Sequence, residues 1–147
     1  MSPRYVAVCG TSEADASQRR LALEVGRLLA QAGAVVLCGG LGGVMEAVSQ
    51  GASDQGGTVI GILPGRDRAA ANPHLTVAIA TGLGEARNSV LTAAADCVIA
   101  IGGGWGTLSE IGLARKMGRP VVGLGSWDLA GLEVAGDPAE AVRKALE

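Results

Sequence analysis

The sequence predicts an α/β protein in which about six parallel strands form one doubly wound sheet with helices on both of its faces. Short, continuous apolar runs such as Cys97 to Ile101 alternate with longer stretches in which apolar residues recur at helical spacing. Continuous apolar runs are typical of parallel strands that are buried on both faces. Strands that alternate with helices are joined by right-handed crossovers, which makes the sheet parallel.

The first half of the chain contains three predicted strands, Tyr5 to Cys9, Ala34 to Cys38 and Thr58 to Leu63. Asp15 and Gln18 have the spacing of a helix capping box, so a helix is expected to begin there and to end at Gly33. A second helix, Val44 to Gln55, is expected after the second strand.

The second half contains three more predicted strands, Leu75 to Ala80, Cys97 to Ile101 and Pro120 to Leu124. Arg66 to Pro73 is expected to be a loop, and Gly84 to Ala95 a helix. A turn from Gly125 to Gly136 and a short helix from Asp137 or Pro138 are expected to complete the chain.

The segment from Asp96 to Glu110 has the sequence of an anion-binding turn. Its apolar run is followed by four glycines among the five residues 102–106. Thr107 is a favourable N-cap and Glu110 completes a T-x-x-E capping box, so a helix is expected from Thr107 to about Met117. The first amide groups of a helix lack partners and lie at the positive end of its dipole, and glycine lets an anion approach them closely.

Composition excludes several classes of protein. The 147 residues are enough for one domain, expected to span residues 1–147. Aromatic residues make up 2% and Phe is absent, so we expect a core of Val, Ile, Leu and Ala with closely packed elements. A formal net charge of −2 argues against a basic surface that binds nucleic acid.

The three cysteines and the single histidine indicate a cytoplasmic protein without a metal site. The cysteines are scattered among predicted strands without a C-x-x-C pair, which favours buried, reduced thiols. The chain enters its first strand directly, so no signal peptide is expected. Its longest charge-free run, Leu28 to Met45, contains five glycines and is not expected to span a membrane.

A ligand is expected beyond the carboxyl ends of the strands, where the winding of such a sheet reverses. No G-x-G-x-x-G, G-x-x-x-x-G-K-[ST] or G-x-S-x-G sequence follows a predicted strand, which disfavours dinucleotide-binding oxidoreductases, P-loop NTPases and esterases. A single phosphate group, most simply that of a nucleoside monophosphate, remains as the candidate ligand. The candidate binding residues follow the first, second and fifth strands: Gly10, Thr11, Ser12, Gly39, Gly40, Gly42, Gly43, Gly103, Gly104, Trp105, Gly106 and Thr107.

The run Gly103 to Glu110 matches the pattern GGxGTxxE, and with Leu37 to Met45 and Arg87-Asn88 it resembles the Lonely-Guy family of cytokinin riboside-monophosphate phosphoribohydrolases. It is equally similar to the related molybdenum-cofactor carrier proteins. The resemblance implies a Rossmann-like fold, a homodimer or higher homo-oligomer, and no resident cofactor. Arg87 and Asn88 are further candidate phosphate-binding residues, although Asn88 replaces a family lysine; Glu46 replaces a family glycine, so the chain departs from the pattern at these two positions.

The resemblance gives two candidate catalytic residues, and each has a plainer alternative. Arg87 either clamps a phosphate with two parallel hydrogen bonds or is a solvated helix arginine paired with an acid. Glu110 either promotes cleavage of an N-glycosidic bond or is only the capping carboxylate. Trp105 either stacks on a base or pterin or packs against a neighbouring subunit. Arg66 and Arg68 either are solvated or belong to a lid over the ligand.

Two functions therefore remain open, with a third, an assembly protein that uses its glycines only for packing, behind them. The first is a phosphoribohydrolase that releases a base and ribose 5-phosphate from a nucleoside 5′-monophosphate. The second is a non-catalytic carrier or sensor of a phosphorylated ligand such as molybdenum cofactor. Since both classes share the fold and the loop, the sequence does not separate them.

Overall fold

The computed structural model describes residues 2–147 and contains seven strands and five α-helices in that range. The strands are β1 (Tyr5–Gly10), β2 (Val35–Cys38), β3 (Val59–Leu63), β4 (Val77–Ala80), β5 (Cys97–Ile101), β6 (Val121–Leu124) and β7 (Glu133–Ala135). The helices are α1 (Ala16–Gln31), α2 (Val44–Asp54), α3 (Arg87–Ala94), α4 (Trp105–Lys116) and α5 (Pro138–Ala145). Two short 3₁₀ helices span Arg68–Ala70 and Gly84–Ala86.

The strands form one parallel sheet in the order β4-β3-β2-β1-β5-β6-β7. The chain builds outward from β1 to β4, returns to place β5 on the other side of β1, and then builds outward again. Its winding therefore reverses between β1 and β5. This arrangement confirms the predicted doubly wound, Rossmann-like sheet, with one strand more than expected.

The helices cover both faces of the sheet and bury two separate apolar layers. Helices α1, α2 and α5 cover one face, where Val6 and Val8 of β1 point. Helices α3 and α4 cover the other, where the intervening Ala7 and Cys9 point. The side chains of a strand alternate between faces, so a continuous apolar run is buried on both.

Glycine allows α1 and α2 to pack in direct backbone contact. A Cβ atom on Gly26 would lie 2.1 Å from the carbonyl oxygen of Val48, and one on Gly51 would lie 2.0 Å from that of Leu23. Both distances are far below van der Waals contact. The close packing expected from a composition rich in glycine and alanine is therefore present.

The predicted turn from Gly125 to Gly136 is wrong in its last part, where β7 adds an edge strand. Strand β7 is only three residues long, and its Glu133 and Val134 are exposed. Its sequence therefore contains no apolar run from which a strand could be predicted. Its pairing with β6 supplies the order that its sequence lacks. Two smaller differences are that the 66–73 loop contains a 3₁₀ turn and that residues 84–86 are 3₁₀ rather than α-helical.

The predicted capping box at Thr107 and Glu110 is also wrong. Helix α4 begins two residues earlier, at Trp105, with Gly104 as its N-cap and no side-chain capping bond. Gly104 has an extended backbone, so the helix starts directly after it and Thr107 already lies within the first turn. The capping box at Asp15 and Gln18 is confirmed, with reciprocal bonds of 2.8 and 3.1 Å.

The apolar residues Ile111 and Ala114 of α4 are buried against the sheet. Leu113 beside them is half-buried. This face of α4 belongs to the core and is not free to form an interface. Within residues 2–147, no helix combines the length and apolarity needed to cross a membrane.

Candidate functional site

A cavity of about 270 Å³ lies at the carboxyl edge of the sheet, where the winding reverses between β1 and β5. It is formed by the loop after β1, the start of α2 and of α3, and the first turns of α4. Its lining residues are Gly10, Thr11, Ser12, Leu41, Met45, Glu85, Arg87, Asn88, Gly104, Trp105, Gly106, Thr107 and Glu110. Most of the predicted site residues thus come together, whereas Gly39, Gly40, Gly42, Gly43 and Gly103 do not line the cavity.

The N-terminus of α4 presents unpaired amide groups to this cavity. The first backbone hydrogen bond of the helix runs from the Leu108 amide to the Gly104 carbonyl, 2.9 Å. The amides of residues 105–107 precede that bond and have no acceptor within the helix. They lie at the positive end of the helix dipole, which favours an anion there.

Protein packing does not account for the glycines at positions 104 and 106. A Cβ atom on either residue would meet no protein atom within 4 Å, and neither backbone is left-handed. Alanine could therefore occupy both positions without a clash. What the two glycines preserve is open space directly in front of the helix amides, where a ligand can approach closely.

The four glycines between β2 and α2, at positions 39, 40, 42 and 43, have a different explanation. A Cβ atom on Gly39 would lie 2.2 Å from Nη1 of Arg87, and one on Gly43 would lie 2.3 Å from the Thr11 carbonyl oxygen. Gly40 and Gly43 also have left-handed backbones, with φ of +80° and +65°. Gly42 is free of such contacts, its nearest neighbour lying at 3.9 Å. Packing and backbone geometry alone account for three of these four glycines.

Arg87 is buried at the base of the cavity, with 9% of its surface exposed. Its Nη1 donates to the carbonyl oxygens of Gly39 and Ile62, at 2.8 and 2.9 Å. No described acid forms an ion pair with it, so the alternative of a solvated, acid-paired arginine is wrong. Because Nη1 is already engaged, a clamp through two nitrogens would have to use Nε and Nη2. Its Nε is buried without a partner among the described residues.

Asn88 follows Arg87 in α3 and also lines the cavity. Only 3% of its surface is exposed, and its Oδ1 is buried with no hydrogen-bond partner among residues 2–147. A buried polar atom without a partner costs roughly 1–3 kcal/mol. Two such atoms, Arg87 Nε and Asn88 Oδ1, therefore occur in consecutive residues of one cavity wall.

Glu110 lines the cavity and is not engaged in a cap. Burial raises the pKa of its carboxyl to about 6, although the Cys9 thiol and the Arg87 guanidinium lower it in part. Glu85, on the same cavity wall, raises it further. Among the described residues that line the cavity, Arg87 is the only basic one, and Glu85 and Glu110 are the acidic ones. The cavity therefore contains a carboxyl that takes up a proton near pH 6.

Several residues of the site were not predicted from the sequence. Leu41, Met45 and Glu85 line the cavity. Cys9 lies beneath it, buried, and burial together with the Glu110 carboxylate raises the pKa of its thiol well above the usual range. The position of Cys9 at the end of the first strand, directly before Gly10, was the available signal. All three cysteines are free and buried, as predicted.

Trp105 lines the cavity, and Trp127 contacts Trp105 from outside the cavity lining. Their ring centroids are 5.9 Å apart with an angle of 39° between the ring planes. The Trp127 indole N–H donates to the Gly104 carbonyl oxygen, 3.2 Å. Trp105 has 81% of its surface exposed. Trp127 lies 22 residues after Trp105 in a predicted turn, and nothing in its local sequence indicated this contact.

The remaining charged candidates lie outside the cavity. Glu46 lines a separate depression between α1 and α2, beside Arg19 and Arg20, and is not among the residues that line the main cavity. Arg66 and Arg68 are exposed and do not line the cavity. Within residues 2–147, no group of three or more His, Cys, Asp or Glu side chains is placed to hold a metal ion.

Comparison with known proteins identifies relatives over nearly the whole chain. A profile of the SLOG cluster4 family matches residues 3–145. An uncharacterised protein of Archaeoglobus fulgidus is 43% identical over 143 residues, which cover 97% of this chain and 94% of that protein.

Two solved structures share the fold at substantial sequence identity. The molybdenum cofactor binding protein from the phototrophic bacterium Rippkaea orientalis is 36% identical with a TM-score of 0.93, over 98% of this chain and 96% of that one. The molybdenum cofactor carrier protein from Chlamydomonas reinhardtii is 32% identical with a TM-score of 0.88, over 99% of this chain and 97% of that one.

Proposed function

This chain belongs to the SLOG cluster4 family, and from that premise we propose that it is a carrier that binds a phosphorylated pterin cofactor of the molybdenum-cofactor kind without converting it. The cofactor is its cargo. The phosphate lies at the N-terminus of α4, against the amides of residues 105–107. The relatives at 36% and 32% identity, a molybdenum cofactor binding protein and a carrier protein, support this choice of ligand.

The observation that carries the proposal is the open space in front of the α4 amides. Gly104 and Gly106 keep that space free, although no protein atom requires it. The neighbouring wall contributes the unpartnered Arg87 Nε and Asn88 Oδ1, one donor and one acceptor. A ligand that satisfies them recovers the free energy that their burial costs.

Hydrolysis of a nucleoside 5′-monophosphate is the second candidate, and one observation favours it. Glu110 does not cap the helix, so its carboxyl is available to the cavity. A carboxylate at that place could stabilise an oxocarbenium-like transition state or position water. The carrier ranks first because Asn88 leaves one cation fewer than the hydrolase pattern and because the relatives named above are cofactor-binding proteins.

One experiment separates the two candidates. Purified protein is titrated by calorimetry with 6-hydroxymethylpterin phosphate and with AMP, and each mixture is then analysed by chromatography for unchanged ligand, free base and ribose 5-phosphate. The carrier proposal expects binding of the phosphorylated pterin and full recovery of both compounds. Release of adenine that disappears in Glu110→Gln would instead establish the hydrolase. The absence of binding by any phosphorylated compound would refute both.

A further inference from the structure

Trp105 lines the cavity and Trp127 contacts Trp105 from outside the cavity lining, although aromatic residues are rare in this protein. The chain has two Trp, one Tyr and no Phe. The single tyrosine, Tyr5, begins β1 and therefore lies at the opposite edge of the sheet. Every aromatic side chain near the carboxyl edge thus belongs to the Trp105–Trp127 pair. Trp105 is not part of the apolar core, whereas half-buried Trp127 packs against the apolar layer beneath α3 and α4.

Trp127 fixes the position of both the pair and the adjacent turn. Its N–H donates to the Gly104 carbonyl oxygen, and its ring lies 3.5 Å from the place where a Cβ on Gly103 would stand. Gly104 is the N-cap of α4, so Trp127 is bonded to the residue that precedes the free amides. The Trp127 ring is half-buried and supports Trp105 from the side.

Trp105 is the first residue of α4 and is far more exposed than folding requires. Among the exposed large apolar side chains of residues 2–147, the next is Val134 at 64%, compared with 81% for Trp105. Beside it, Gly104 and Gly106 leave open space. A flat ring can therefore approach the Trp105 ring while a phosphate on the same molecule occupies the helix N-terminus.

We propose that Trp105 and Trp127 form an aromatic platform for a fused-ring nitrogen heterocycle of the bound ligand. Trp105 stacks on the heterocycle and selects it from other phosphate esters, whereas Trp127 is a positioning residue that holds Trp105 and Gly104 in place. This inference rests on the phosphate site of the proposed function and adds one specificity-determining residue, Trp105, and one positioning residue, Trp127. Stacking of a heterocycle on an aromatic side chain strengthens binding by about 5- to 150-fold.

Four ligands and three variants test the platform. Calorimetry compares ribose 5-phosphate, which has no ring, with AMP, 6-hydroxymethylpterin phosphate and unphosphorylated 6-hydroxymethylpterin. Wild type is expected to bind the ring phosphates about 5- to 150-fold more tightly than ribose 5-phosphate. Trp105→Ala is expected to remove this preference, so that the ring phosphates bind no more tightly than ribose 5-phosphate, whereas Trp105→Phe retains most of it. The purine and pterin arms identify which heterocycle the platform prefers.

Trp127→Phe tests the positioning role, because phenylalanine keeps a ring and loses the N–H donor. Trp105 is then the only tryptophan, so its fluorescence reports on the platform alone. The ring phosphates are expected to quench it still, while its anisotropy without ligand falls because the neighbouring ring is less firmly held. Unchanged anisotropy together with unchanged affinity would overturn the role of Trp127.

The outcomes for the platform and for the phosphate site are distinguishable. If ribose 5-phosphate binds and the rings add nothing, the platform is refuted and the phosphate site stands. If unphosphorylated pterin binds as tightly as its phosphate, the platform stands and the phosphate site is refuted. Sedimentation velocity completes the test by measuring the oligomeric state of Trp105→Ala. If this variant dissociates into smaller species and keeps its preference for ring phosphates, Trp105 joins copies of the chain. That result would refute the platform.

Discussion

Nη1 of Arg87 donates a 2.8 Å hydrogen bond to the carbonyl oxygen of Gly39, which lies 48 residues earlier in the chain. The same nitrogen donates to the carbonyl oxygen of Ile62 at 2.9 Å. One guanidinium group thereby joins the start of α3 to the residue that follows β2 and to the last residue but one of β3. It closes the base of the cavity and also satisfies backbone groups that are remote from water.

Replacement of Arg87 by Met is expected to lower the free energy of unfolding by about 2–4 kcal/mol, because two buried carbonyl oxygens lose a charged donor. Arg87→Lys is expected to lose about half as much, since an ammonium group is too compact to reproduce the planar guanidinium. Urea unfolding measures both variants. Exposed Arg68 provides the control, and Arg68→Met is expected to stay within about 0.5 kcal/mol of wild type. An Arg87→Met variant as stable as that control would contradict the structural role.

Gly39→Ala is expected to destabilise the protein by about 1–3 kcal/mol, as overpacking in a well-packed interior does. The added Cβ would lie 2.2 Å from Arg87 Nη1 and 2.6 Å from Met45 Sδ, so at least one of these side chains must move. Gly112→Ala in α4 is the matched control, because its Cβ meets no atom within 4 Å. Alanine there is expected to stabilise the helix by roughly 0.5–1 kcal/mol. Thermal unfolding of the pair gives the comparison, and equal melting temperatures would count against the predicted clash.

Gly106→Ala is expected to separate binding from folding. Its Cβ meets no protein atom and lies in the first turn of a helix, so stability is expected to be unchanged or slightly increased. The same methyl group projects into the space assigned to the phosphate, and we expect at least about a tenfold loss of affinity, or 1.4 kcal/mol. Calorimetry with inorganic phosphate measures the loss. Gly112→Ala is again the control. Equal phosphate affinities in the two variants would mean that the phosphate does not bind at this turn.

Glu110→Gln is expected to stabilise the protein at neutral pH and not at acid pH. The pKa of Glu110 is raised from 4.5 to about 6 in the folded protein, so folding is favoured by the protonated form. The resulting contribution to stability is fully present below pH 4.5 and is lost as the pH rises through about 6. Glutamine resembles the protonated carboxyl and does not titrate. The difference in unfolding free energy between variant and wild type is therefore expected to increase by about 2 kcal/mol between pH 4.5 and 7.5.

Urea unfolding at a series of pH values measures this difference, and all other titrating groups cancel in the comparison. A difference that stays constant across the series would mean that Glu110 titrates at its ordinary pKa. The predicted increase would show that the chain keeps a destabilising carboxyl in the cavity, as expected of a residue retained for binding or chemistry.

The sequence determined the features that depend on neighbouring residues. The strand from Cys97 to Ile101 occurs within the predicted limits, because a short apolar run bounded by a polar residue and by glycine has few alternatives. The capping box at Asp15 and Gln18 formed because its two partners are three residues apart. The glycine turn before α4 also followed from local chemistry. With the alternation of strands and helices, these features sufficed to place the cavity at the carboxyl edge of the sheet.

Tertiary structure decided the features that join residues distant in sequence. Thr107 and Glu110 have the spacing of a capping box, yet the helix begins at Trp105, directly after the extended Gly104. Glu110 is therefore inside the helix, where it is buried and lines the cavity. Arg87 bonds to the ends of two strands, and Trp127 bonds to Gly104 across 23 residues. The short strand β7 exists only because β6 pairs with it. Burial and long-range hydrogen bonds fix these features, and neither is encoded in a local pattern of residues.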